Sequence, residues 1–97
     1  MKSIRGVKYG RRDEVSKSII STFLQQGAKV ADLQDVGRGI PDLLIGVNGH
    51  MAWVEMKSAK GKYTEPQIKF KEQWSGYIYE CRSDIEAIEI CRRMRSI

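Results

Sequence analysis

Asp42, Glu55 and Lys57 are the residues whose types and spacing could do chemistry. Glu55 and Lys57 stand two apart in Trp53-Val54-Glu55-Met56-Lys57. Alternation along a strand places Trp53, Glu55 and Lys57 on one face and Val54 and Met56 on the other. Val54 and Met56 suit a core; two charges on a central strand do not, and burying them requires pairing or a metal. Asp42 opens the strand before, across Asn48-Gly49, a strong hairpin signal. Strands joined this way lie about 4.8 Å apart, so the two carboxylates are expected to converge. Two carboxylates with one ammonium form a hard-oxygen site for Mg2+ or Mn2+. An ion there would bind a scissile phosphate oxygen, lower the pKa of a bound water and orient its attack. Lys57 would stabilise charge building on the phosphate. Its other role, taking the proton from water, ranks second because neighbouring carboxylates favour its charged form. The bland alternatives are a turn aspartate after Pro41 and an exposed edge strand carrying alternating charges at Glu55 and Lys57.

The elements that must position these residues can be read around them. A helix is predicted from about Arg11 to Gln26, with Val15, Ile19, Ile20, Phe23 and Leu24 at helical spacing and Gly27 as the stop. Residues 28–36 alternate loosely, as in a strand, and Gly37-Arg38-Gly39-Ile40-Pro41 forms a loop. Leu43 to Val47 is a continuous apolar run, as in a strand buried on both faces. Met51 to Ser58 forms the next strand, and Lys60-Gly61-Lys62-Tyr63 a basic loop. Thr64 caps a second helix, Gln67 completes a capping box and Pro66 fits its first turn. That helix ends near Gly76. Gln67 shares a face with Phe70 and Trp74, so it points inward. Tyr77 to Cys81 forms a last strand. Ser83-Asp84-Ile85-Glu86 opens a final helix with Ile85, Ile88, Cys91 and Met94 inward. The order is αβββαβα, an α/β sandwich around a central mixed sheet.

The 97 residues fit one domain, 1–97, with Lys2, Arg5 and Lys8 forming a basic arm over residues 1–10. Lys and Arg number 17 against 12 Asp and Glu, a net charge of +5, which favours a polyanion and chiefly nucleic acid. Arg38, Lys60 and Lys62 flank the proposed site in loops and are candidate phosphate contacts; the alternative is that they serve solubility. With Cys81 and Cys91 outside any CxxC pattern and His50 the sole histidine, a structural zinc site of nitrogen and sulfur ligands is not expected. Two buried, reduced thiols are expected instead. No apolar run has the length of a signal peptide or a membrane span, so a cytoplasmic location and no membrane partner are expected.

Pro41-Asp42 followed by Glu55-Met56-Lys57 resembles the PD-(D/E)XK nuclease pattern, whose fold is restriction-endonuclease-like. Gly39-Ile40-Pro41-Asp42-Leu43-Leu44, then Trp53-Val54-Glu55-Met56-Lys57, then Thr64-Glu65-Pro66-Gln67 looks like its virus-type replication-repair (VRR-NUC) branch, over roughly residues 11 to 81. The short chain is similar to the small stand-alone viral and bacteriophage members, for which the cytoplasm is the host's. The resemblance implies metal ligands at Asp42 and Glu55 with the Met56 backbone carbonyl, catalytic Lys57, and Gln67 orienting Lys57 or the attacking water. It also implies a glutamate on the first helix, at the position of Glu14. A helical wheel puts Asp13 on the apolar side and Glu14 nearly opposite, so both acids stay open.

The expected activity is that of a Mg2+- or Mn2+-dependent, structure-selective DNA endonuclease with no small-molecule cofactor. Chain size and the resemblance together imply a homodimer, and a two-fold dimer matches the two like strands of a four-way (Holliday) junction. The alternatives are a flap or general DNA nuclease, and a DNA-binding module of the same fold that does not cut.

Overall fold

The computed structural model describes residues 10–58 and 60–97, with side chains described from residue 14 onward. The elements are α1 (Gly10–Gln25), β1 (Lys29–Asp32), β2 (Leu43–Val47), β3 (His50–Met56), α2 (Glu65–Gln73), β4 (Ile78–Cys81) and α3 (Asp84–Arg95). This is the αβββαβα order read from the sequence. The basic arm expected over residues 1–10 lies outside the described residues, apart from Gly10 at the start of α1.

The four strands form one mixed sheet in the order β1-β2-β3-β4. β1, β2 and β3 are antiparallel neighbours, and β4 joins β3 in parallel. Parallel strands need a crossover, and α2 supplies it. The β2–β3 turn is the expected Asn48-Gly49 pair, with φ of 53° and 85°. Two positive φ values in a two-residue loop define a type I′ turn, whose twist suits a hairpin.

α1 and α3 cover one sheet face. Ile19 and Phe23 meet Leu43, Ile45, Val47, Ala52, Val54 and Met56 in the core, closed by Ala87, Ile90, Cys91 and Met94 of α3. Both cysteines are buried free thiols, as expected. α1 stops at Gly27: the Ala28 N–H donates to the Phe23 carbonyl and the Gly27 N–H to that of Leu24, each at 3.0 Å. This is a Schellman closure, with φ of +90° at the glycine. Both ends of α3 are clasped to α1 or the residue that follows it. Ser18 Oγ donates to Asp84 Oδ2 at 2.7 Å, and Arg95 Nη1 to the Gln26 carbonyl at 3.3 Å.

Three readings need correction. The inward face of α3 is Ala87, Ile90, Cys91 and Met94, while Ile85 is 77% exposed and Ile88 is exposed too. Apolar residues occupy two adjacent stripes of this helix, and close packing on α1 selects the stripe carrying the small Ala87. On α1, Val15 and Leu24 are exposed, leaving Ile19 and Phe23 as the buried pair. The first strand ends at Asp32 rather than residue 36, because the Asp32 carboxylate accepts the Gln34 N–H at 3.0 Å and turns the chain.

Candidate active site

β3 divides its side chains by parity. Ala52, Val54 and Met56 enter the core, while Trp53, Glu55 and Lys57 face α2 and the loop before it. Trp53 packs there edge-on against Phe70 and Trp74, with centroids 5.6 and 5.4 Å away. Beyond this aromatic cluster the face turns polar. Glu55 is 2% exposed and Lys57 9%, so both charges are buried.

Asp42 lies one step past the last β2–β3 ladder pair, Leu43↔Val54, which sets it opposite Glu55. Opposed residues of antiparallel strands share a face, with Cβ atoms about 4.5–5.5 Å apart. Asp42 is fixed on both sides. Its carbonyl accepts the Leu33 N–H at 2.7 Å, and its Oδ2 accepts the Met56 N–H at 2.8 Å. The carboxylate is therefore held beside the backbone that joins Glu55 to Lys57.

Gln67 ties the other half together. Thr64 and Gln67 form the predicted capping box, with the Gln67 N–H on Thr64 Oγ1 and the Thr64 N–H on Gln67 Oε1. The same Oε1 accepts from Lys57 Nζ at 2.7 Å, and Gln67 Nε2 donates to Glu55 Oε2 at 2.7 Å. Lys57 Nζ also donates to the Lys62 carbonyl at 3.0 Å and lies 3.6 Å from Glu55 Oε2. One amide thus caps α2, orients a buried ammonium and orients a buried carboxylate.

The loop before β2 is packed against this helix start. Gly39 has a φ of +82°, and a Cβ there would come within 2.4 Å of the Pro66 carbonyl oxygen. Only glycine fits both the backbone angle and the approach. Gly39, Pro41, Glu55, Tyr63, Gln67, Phe70, Lys71 and Ile78 line a cleft of about 200 Å³ between loop, sheet and α2. A second cleft of about 230 Å³ lies between α1, at Val15 and Ser16, and the end of β3, at Met56, Lys57 and Ser58.

The remaining candidates are exposed side chains. Arg38, Lys60 and Lys62 lie on the two loops, and Arg38 holds a positive φ of 61°. Lys62 reaches the site through its carbonyl rather than its charge. Glu14 is exposed on α1, and the Asp13 side chain lies outside the described residues. Among the described residues, no three His, Cys, Asp or Glu side chains form a group that could hold a metal ion. Among the described residues, the β2–β3 register sets the carboxylate of Asp42 opposite that of Glu55.

Tyr63, Glu80 and Arg82 were not among the residues the sequence singled out. The β3–β4 register pairs Glu55 with Glu80, so the two acids share a sheet face. Tyr63 donates its hydroxyl to Glu80 Oε1 at 2.9 Å. Arg82 binds the other Glu80 oxygen and the Ser58 carbonyl. The Arg82 guanidinium holds the Glu80 carboxyl below its usual range. Burial, then the bond to Glu80, pushes the Tyr63 phenol well above its ordinary value. The signal available in sequence was slight: Glu80 is the one charge in the run Tyr77 to Cys81.

No protein-family model, no curated protein and no solved structure matches this chain.

Proposed function

We propose that this chain is a metal-dependent DNA endonuclease of the PD-(D/E)XK type, VRR-NUC branch, acting as a homodimer on branched DNA, with a four-way junction as preferred substrate. The observation that carries the reading is two buried carboxylates, Asp42 and Glu55, opposed in register, with the buried Lys57 ammonium 3.6 Å from Glu55.

The donor set suits Mg2+ or Mn2+. Mg2+ characteristically takes one or two carboxylates and completes its shell with water and substrate phosphate oxygens. Asp42, Glu55 and the Met56 carbonyl would hold it, without a third acidic side chain. When bound, such an ion supplies Lewis-acid polarisation of the phosphate and a more acidic water.

The protein's own groups do the rest. Lys57 donates to the phosphate oxygen that gathers charge during attack. Gln67 fixes Lys57 and Glu55 relative to each other, so neither must reorganise when the phosphodiester enters. Arg38, Lys60 and Lys62 on the flanking loops contact phosphates of the backbone, setting its position without reading sequence. The net charge of +5 favours that encounter. A cytoplasmic setting, the host's if the chain is phage-encoded, belongs to the same reading.

The test is cleavage of junction, flap and linear duplex DNA with Mg2+ or Mn2+, repeated with Glu55→Gln and Lys57→Ala. The reading requires metal-stimulated cutting, fastest on the junction, that both variants lose while DNA binding persists. Binding by the wild-type chain without metal-stimulated cutting would instead make it a non-cleaving DNA-binding module.

A further inference from the structure

Lys57 has a fourth neighbour besides Gln67, the Lys62 carbonyl and Glu55. Its Nζ lies 5.1 Å from the centroid of the Tyr63 ring, within cation–π range. Lys71 Nζ lies 4.9 Å from the same centroid. The ring is held in place: its hydroxyl is bonded to Glu80, and Glu80 to Arg82, which also grips the Ser58 carbonyl next to Lys57. This chain of contacts runs from the edge strand β4 back to the end of β3.

An ammonium has three N–H donors. Two of those on Lys57 are taken by Gln67 and Lys62. A further hydrogen-bonding partner would consume the third, which must face the substrate if Lys57 is to act on a phosphate. A ring face attracts the cation through its quadrupole and consumes no donor. A hydroxyl donating to a carboxylate also enriches the ring in electron density, which strengthens that attraction.

We propose that Tyr63 is a positioning residue for Lys57: its ring, anchored through Glu80 and Arg82, holds the ammonium toward Glu55 while leaving one N–H for the scissile phosphate. The proposal rests on the nuclease reading for its consequence, but the contact itself is independent of it.

Steady-state cleavage of junction DNA separates the two. Tyr63→Leu lowers kcat about tenfold with KM little changed, and Tyr63→Phe, which keeps the ring, recovers most of that loss. A merely structural role would not produce this split or this recovery. Tyr63→Leu cutting as fast as the wild type, or Tyr63→Phe as impaired as Tyr63→Leu, would overturn the proposal. NMR of the wild-type protein reads the contact whether or not the variants fold. Ring current shifts the Lys57 ε-methylene protons upfield of those of Lys60 and Lys62; a Lys57 shift equal to theirs overturns the proposal. A wild-type protein that shows the shifted resonance but cuts no DNA refutes the nuclease reading and leaves the Tyr63–Lys57 contact supported.

Discussion

Lys57 donates to Gln67 Oε1 at 2.7 Å, and the same oxygen accepts the first orphan N–H of α2, that of Thr64. Fold and site therefore share one atom. Gln67→Ala removes a cap bond and the bonds to Lys57 and Glu55 together. The expected destabilisation is about 1–3 kcal/mol, the range for losing a cap and a partner of a buried polar group. Urea denaturation measures it. Gln67→Glu retains an acceptor for the cap but sets a negative charge against Glu55, so its cleavage should fall further than its stability does.

Lys57→Ala and Glu55→Gln should couple. Each alone disturbs a buried pair 3.6 Å apart and costs about 1–3 kcal/mol. The double variant Glu55→Gln/Lys57→Ala leaves no buried charge at these positions to compensate and should cost less than the sum of the two. A double-mutant cycle by chemical denaturation reads the difference, and strict additivity would show that the two groups do not sense each other.

Gly39→Ala and Gly27→Ala make a paired comparison. Both glycines have positive φ, +82° and +90°, but a Cβ at Gly27 meets nothing within 4 Å whereas one at Gly39 meets Pro66 at 2.4 Å. Gly27→Ala should cost about 1–2 kcal/mol for the backbone conformation alone. Gly39→Ala should cost clearly more, since the loop must move off α2, and the movement should lower cleavage as well. Equal thermal midpoints for the two variants would contradict the close packing of loop against helix.

Metal binding should be visible as stability. Mg2+ at a hundred times its Kd raises the unfolding free energy by about 2.7 kcal/mol if it binds the folded state alone. Asp42→Asn should abolish that gain in a thermal melt, and EDTA should abolish cleavage by the wild type. A melting curve indifferent to Mg2+ and Mn2+ in the presence of DNA would refute the metal assignment.

The thiols set an alkaline limit. Burial pushes Cys81 up to about 12 and raises Cys91 as well. Its folded value lies above the unfolded one of about 8.5, so the stability from the protonated thiol is complete below that pH. It is lost as pH rises through the unfolded value toward about 12. The urea midpoint should therefore fall between pH 9 and about 11, and Cys81→Ala should flatten part of that slope. In the native protein a thiol reagent at pH 8 should modify neither cysteine before unfolding.

What could be read from the sequence was what local chemistry encodes. The Asn48-Gly49 turn fixes the β2–β3 register, and that register puts Asp42 opposite Glu55, so this half of the site followed from spacing. Thr64 and Gln67 identified both the start of α2 and an inward amide, since a capping box is a four-residue local signal. The pairing of Glu80 with Glu55 was not readable, because no turn sets the register of strands joined by a helical crossover. Tyr63 and Arg82 depend on that pairing and were hidden with it. On α3, Cys91 and Met94 were read correctly as inward but Ile85 and Ile88 were not, because apolar residues on two adjacent faces leave the choice to whatever packs against the helix, here α1.

The clasp between α1 and α3 joins residues 66 and 69 positions apart, at Ser18–Asp84 and Gln26–Arg95. Asp42, Glu55, Lys57, Tyr63, Gln67, Glu80 and Arg82, by contrast, come from one continuous stretch, assembled by one tight turn and one crossover. Short loops close faster than long ones. During folding the Asp42-to-Arg82 unit should thus find its register while the chain ends are still searching for each other, so the last event to complete the molecule is the sealing of its apolar side rather than the shaping of its reactive one.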